Sequence, residues 1–139
     1  MQPRDILFSH INSLKHVGKV AFYERDKILY HGMNLLLIRP DDSIVKLSYL
    51  FQILSSEKGR ANARHEAKPA INQVSLAQKQ VLSLPLLLPP LPEQRRIAEI
   101  LDAHDVCIHT EDGVLGKRRH VKRGLMDDLL TGKVRTSLS

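Results

Sequence analysis

Before residue 92, apolar positions come in short clusters separated by Gly, Asp and Pro; after it they recur at heptad-like intervals, so the two parts call for different architectures. Residues 17–23 (VGKVAFY) and 33–38 (MNLLLI) are rich in apolar and β-forming residues and bounded by turn formers, and both predict strands. After Arg39-Pro40, the pair Asp41-Asp42 offers an N-cap, and Ile44, Leu47, Leu50, Phe51 and Leu54 recur at helical spacing until Gly59. That spacing predicts an amphipathic helix of about four turns with its apolar face on the sheet. Residues 57–68 (EKGRANARHEAK) have no apolar period and read as an exposed loop. Residues 71–76 (INQVSL) read as strand or turn, with Ser75 placed to cap a short helical turn. Residues 81–88 read as a buried strand, in which Pro85 favours an edge or a bulge.

From Pro92 the period changes. Proline suits the first turn of a helix and Glu93 the positive end of its dipole. Ile97, Leu101, Ile108 and Leu115 follow at spacings of 4, 7 and 7, and Ile100, Cys107, Val114 and Val121 repeat every 7 beside them, ahead of Leu125, Met126, Leu129 and Leu130. This is a heptad-like seam. Unbroken from 92 to 131 it makes a helix of roughly 60 Å, too long to bury its stripe on a small domain, so the pattern asks for a partner helix. Gly113 and Gly116 each cost up to ~1 kcal/mol in a helix interior and leave a kink or loop near 112–116 open. Gly132 reads as a C-terminal stop. The fold class is therefore α+β: a small mixed α/β body over residues 1–91, one long coiled-coil-like helix over 92–131, and a flexible tail over 132–139.

Charge changes the picture for the first part. The 139 residues carry a net +6, and residues 1–92 hold 12 Lys/Arg against 7 Asp/Glu while residues 93–139 hold 9 against 8. A basic body points to polyanions, nucleic acid before an anionic membrane. Lys15, Lys19, Arg60, Arg64 and Lys68 fall in expected turns and loops of that body, where Lys and Arg neutralise phosphate and Asn62 or Arg64 reach base edges; ordinary loop solvation is the competing reading. The run at 116–124 (GKRRHVKRG) reads as the solvated flank of the helix, or as a clamp on phosphates or an acidic partner.

Several classes of chemistry find no support. Seven histidines form no H-x-x-x-H pair and Cys107 is the single cysteine, so no metal site and no internal disulfide are expected. GVLGKR at 113–118 lacks the spacing and hydroxyl of a phosphate-binding loop, and no nucleophile or carboxylate pair stands out. The longest apolar stretch, residues 81–91, is 11 residues with three prolines, whereas a spanning helix needs about 20. With no leader sequence in view, the cytoplasm is the expected compartment.

Four stretches then carry a resemblance: DILFSHINS with VGKVAFY, AINQVSL, LPLLLPPLPEQRRIAEILDAHD, and KRGLMDDLLTGKVR. In that order they resemble the latter part of the DNA-specificity subunit of Type I restriction-modification enzymes, from Asp5 to Arg135. PPLPEQRRIAEIL with GLMDDLLTGKVR is the most specific element. The resemblance implies a non-catalytic subunit in which target recognition domains read the halves of a split duplex site and long helices space them and dock the modification subunits. S-adenosylmethionine would then sit on the modification subunits and ATP with Mg on separate restriction subunits, leaving no cofactor for this chain. Residues 1–91 resemble part of one recognition domain and 92–131 one spacer helix. Ile97, Leu101, Ile108, Leu115, Leu125 and Leu129 are then the expected contacts for docking and for antiparallel self-association. In this view residues 84–88 close the sheet, and Pro89, Pro90 and Pro92 stiffen the passage into the helix. Two other readings compete. One is an oligomerisation module that docks through its helix without reading DNA, and the other is a small basic regulator with a coiled coil.

Overall fold

Strand β1 (Ile6–Ser9) alternates side chains across a sheet, and Ile6 and Phe8 on one face are the most deeply buried large residues of the body. The computed structural model describes residues 5–23 and 29–136 and divides into two compact units, Met1–Glu99 and Ile100–Ser139. In the first, β1 continues almost directly into β2 (Ile11–Asn12), followed by β3 (Val20–Phe22) and β4 (Leu35–Ile38). β1 is the central strand of an antiparallel sheet in the order β3-β1-β4, with Phe8 opposite Val20 on one side and Leu36 on the other. Both strands expected at 17–23 and 33–38 are present but shorter. Gly18 explains the first: at φ +77 it turns the chain, and its amide donates to the Ser9 carbonyl at 2.8 Å.

Helix α1 (Leu47–Ser55) lays Leu47, Leu50 and Leu54 on the core with Ile6, Phe8 and Val17. Phe51 meets Phe22 of β3 edge to face, ring centres 5.7 Å apart. The helix starts later than Asp41-Asp42 suggests, because Asp41 caps a turn of its own: its carboxylate accepts from the Ser43 amide at 2.9 Å and hydroxyl at 2.6 Å. Those two bonds hold the Asp41 carboxyl below the usual carboxylate range. The chain then extends at Lys46 and leaves Ile44 exposed.

Three expectations are overturned. Residues 57–68 are not a loop, since Glu57–Glu66 forms helix α2, capped by the Ser56 hydroxyl accepting from the Gly59 amide at 3.0 Å. Its buried stripe is Gly59 and Ala63, small residues that a search for large apolar positions passes over. Small size is required there. A Cβ on Gly59 would stand 2.2 Å from the Ile53 carbonyl, and one on Gly18 would stand 2.6 Å from the Ala63 Cβ. Residues 81–88 are likewise not a strand. After the hairpin β5 (Lys68–Ala70) and β6 (Gln73–Ser75), the chain forms a short helix α3 (Gln78–Leu82) and then a strap without ladder partners. Ser75 lies in β6 and caps nothing; instead the Gln80 side chain accepts from the Ala77 amide at 2.9 Å.

Prolines at 85, 89 and 90 remove the donors a ladder would need, so the strap is fastened through its carbonyls instead. Asn62 of α2 donates to the Pro85 carbonyl at 3.1 Å, Tyr49 of α1 to that of Leu87 at 2.8 Å, and Gln94 to that of Pro89 at 2.8 Å. Leu84 enters the core from the same segment.

Helix α4 (Leu91–Leu130) runs for 40 residues without a break through Gly113 and Gly116. About 1 kcal/mol lost at each glycine does not interrupt a ladder of that length. Gly132, at φ +73, provides the left-handed stop expected of it. The last three residues of the tail lie outside the described residues.

Candidate nucleic-acid interface

Three segments of the body converge on His10. Its amide donates to the Asn34 carbonyl at 3.2 Å, its carbonyl accepts from the Leu76 amide at 2.8 Å, and its ring nitrogens lie 3.1 Å from the carbonyls of Leu76 and Met33. One residue thus joins the end of β1, the approach to β4 and the end of β6. From there β2 pairs with β6 and β6 with β5, in a second antiparallel sheet, so Ile11, Ser75 and Lys68 lie side by side across three strands. The segments that meet here, residues 6–23, 29–40 and 67–92, contain no Asp or Glu at all. Lys15, Lys19, Lys68 and Lys79 are the cations these segments carry besides Arg39, which pairs with Asp5, and such a composition favours an anionic partner.

The six residues singled out for DNA are placed differently. Lys15 lies in the helical turn at 13–17, and Lys19 enters β3 with its carbonyl accepting from the Ser9 amide at 2.8 Å. Lys68 opens β5, two strands from Ile11 and hence about 10 Å across the sheet. All three are exposed. Arg60 borders them, because the Gly18 turn sits against α2 with the Gly18 Cβ position 3.8 Å from the Arg60 Cα. Arg64 is folded along its own helix, donating to the Arg60 carbonyl at 3.1 Å and to the Glu57 carboxylate at 3.0 Å. Asn62 faces the strap through its bond to Pro85 rather than extending outward.

In the second unit the residues of the seam stand open to solvent. Leu101, Ile108, Leu115, Leu125 and Leu129 are exposed, while Ile97, within the first unit, is half-buried. Lys117, Arg118 and Lys122 border the apolar strip made by Val121, Leu125 and Leu129, so the basic run flanks the seam. Among the described residues no helix is long and apolar enough to cross a membrane, and no group of three or more His, Cys, Asp or Glu side chains is arranged to hold a metal ion.

The model of a known family, the Type I restriction modification DNA specificity domain, matches residues 2–116. The chain belongs to that family. Among curated proteins it is similar to a Methanocaldococcus jannaschii protein provisionally named the type I restriction enzyme MjaX specificity subunit, with 44% identity over 128 residues. That match takes in 91% of this chain and 30% of the relative, so the chain spans less than a third of its relative's length. The family match includes both the body and the first part of α4, up to residue 116.

The first turn of α4 is joined to the body through a residue that sequence reasoning passed over. Gln94 is 1% exposed. Its amide donates to the carbonyls of Pro89 and Ile44 at 2.8 and 3.2 Å, and its oxygen accepts from the Lys46 amide at 2.8 Å. The signal was present as a polar residue one helical turn before Ala98, the other buried residue of α4. Asp5 was missed as well. Its carboxylate, with the side chain 1% exposed, receives Arg39 through two bonds of 2.9 and 3.1 Å at the far end of β1.

Proposed function

We propose that the chain is a DNA-specificity module of a Type I restriction-modification system. Its body reads one half of a bipartite duplex site, and α4 sets the spacing and docks the modification subunits. The observation that carries this reading is the grouping of Lys15, Lys19, Arg60 and Lys68 around a junction whose three segments lack acidic residues, in a member of this family. The chain itself performs no catalytic step and holds no cofactor. Adenine methylation with S-adenosylmethionine belongs to the modification subunits, and ATP with Mg to the restriction subunits. The apolar seam of α4, exposed in the single chain, supports docking through Ile97, Leu101, Ile108, Leu115, Leu125 and Leu129, with a second copy packing antiparallel as one form of that contact.

A salt titration of binding to duplex DNA tests the reading. Affinity should fall linearly with the logarithm of salt, and Gln in place of Lys15, Lys19, Arg60 or Lys68 should each lower the slope by about one. Arg64 and Asn62, already engaged within the body, should matter less. No duplex binding together with intact self-association would leave the oligomerisation module as the surviving reading. Docking is tested by co-elution with a purified modification subunit, which replacement of Leu101, Ile108 and Leu115 by Asp should abolish. A monomeric mass at tens of micromolar in sedimentation would exclude self-association.

A further inference from the structure

We infer that Tyr30, Met33 and Ile71 are the base-contacting side chains of the body, meeting duplex DNA in its major groove while the surrounding lysines hold its phosphates. The inference rests on the DNA-reading role proposed above. Among the described residues these are the most exposed large apolar side chains, at 94%, 92% and 92%. Exposed apolar residues scattered over a surface are ordinary. These three are gathered on two tips that the His10 junction ties together. Met33 follows Tyr30 in the approach to β4 and has its carbonyl against the His10 ring. Ile71 forms, with Asn72, the turn of the β5–β6 hairpin, where Asn72 takes the left-handed conformation at φ 58. Leu76, whose carbonyl meets the other ring nitrogen of His10, lies four residues along β6 from that turn, about 13 Å. Both tips are thus anchored at the same residue, His10.

Charge complementarity names the occupant. The tips belong to segments whose charged residues are Lys and Arg, with Lys68 at the base of the hairpin and Lys19 against Ser9 beside His10, a setting that attracts a polyanion. On a duplex, an isoleucine and a methionine find matching apolar chemistry at the thymine methyl group, which lies in the major groove. Beyond its pairing with β2 the β5–β6 hairpin narrows to two strands at the Ala70–Gln73 pair, and a two-stranded ribbon is of a width that this groove admits. Asn72 and Gln73 follow Ile71 and carry the amide groups that pair with adenine edges, and Tyr30 adds a hydroxyl.

Selection of duplexes from a randomised library by the full chain, followed by affinity measurements on the selected duplex, tests the assignment. Tyr30→Ala, Met33→Ala and Ile71→Ala should keep the parent's melting temperature, because the side chains removed are exposed. They should also keep its salt slope, while each loses preference at one or two base pairs by about tenfold. Replacing thymine by uracil in the selected duplex removes only the methyl group and should reproduce the loss for Ile71 or Met33 in the parent chain. Variants that select the same sequence with the same affinity, or a parent indifferent to uracil at every selected position, would overturn the assignment while salt-sensitive binding stands. A parent that binds no duplex would overturn the DNA-reading role and this inference with it.

Discussion

Gln94→Leu is the sharpest perturbation of the body, because it keeps the volume of a buried side chain and removes all of its hydrogen bonding. Three bonds are lost, from the amide to the Pro89 and Ile44 carbonyls and from the Lys46 amide to the side-chain oxygen. Each contributes about 0.5–1.5 kcal/mol net, and leucine leaves the three backbone groups facing an apolar side chain that also excludes water. Ile44 lies at the surface, so its carbonyl can turn to solvent; Lys46 and Pro89 are half-buried and less able to. The expected loss is about 3 kcal/mol. With a urea dependence of about 1.5 kcal/mol per molar for a body of this size, the midpoint falls by about 2 M. Tyrosine emission is the appropriate signal, since the chain has three tyrosines and no tryptophan, and Tyr23 and Tyr49 are buried in the body. Circular dichroism would instead be dominated by α4. Gln94→Glu should be nearly as damaging at neutral pH, because a carboxylate accepts from Lys46 but cannot donate to either carbonyl. A Gln94→Leu midpoint within 0.5 M of the parent, a limit of roughly 0.7 kcal/mol on the same slope, would refute the claim that these bonds fasten α4 to the body.

Tyr49→Phe should cost about 1 kcal/mol by releasing the strap at Leu87. Burial first, and the Glu93 charge second, raise the Tyr49 phenol above its ordinary value. Its contribution is therefore fully present below the unfolded value near 10.0 and lost as pH rises through the folded one, so the parent should show an alkaline loss of stability in urea melts that Tyr49→Phe lacks. Gly18→Ala should destabilise by about 2–3 kcal/mol in thermal unfolding, since it forces a left-handed alanine and a Cβ 2.6 Å from Ala63. Gly32→Ala, with open space at its Cβ, should be neutral, and equal melting points for the two would count against the argument. Gly113→Ala and Gly116→Ala meet no atom within 4 Å and should each stabilise α4 by about 0.5–1 kcal/mol, read as a higher helix melting point at 222 nm. A lower melting point would contradict it.

Much of the architecture was legible because large apolar residues report their own periodicity. The heptad-like pattern of α4, the face of α1 and the strands β3 and β4 followed from spacing, and the stop at Gly132 from its residue type. Reading failed where burial is achieved by small or polar residues. The sequence of α2 reads as a loop because its buried stripe is Gly59 and Ala63, and the role of Gln94 is hidden because a glutamine in a charged helix start ordinarily faces water. The strap reads as a strand because its leucines are as apolar as a strand's, and the prolines between them only discourage pairing without naming what replaces it.

Sequence alone determined the class of this protein: a basic α+β body, a proline-marked passage and a long helix with an open apolar seam, in the order that marks its family. Those features depend on composition and local spacing, which the chain carries without folding. The tertiary structure decided which groups meet. It set Lys19 against Ser9 and Lys68 against Ser75, folded Arg64 along its own helix, bonded Asn62 to the strap, and fastened the strap and the first turn of α4 with Asn62, Tyr49 and Gln94. Such contacts join residues up to 66 positions apart, and no periodicity encodes a hydrogen bond between a side chain and a distant carbonyl.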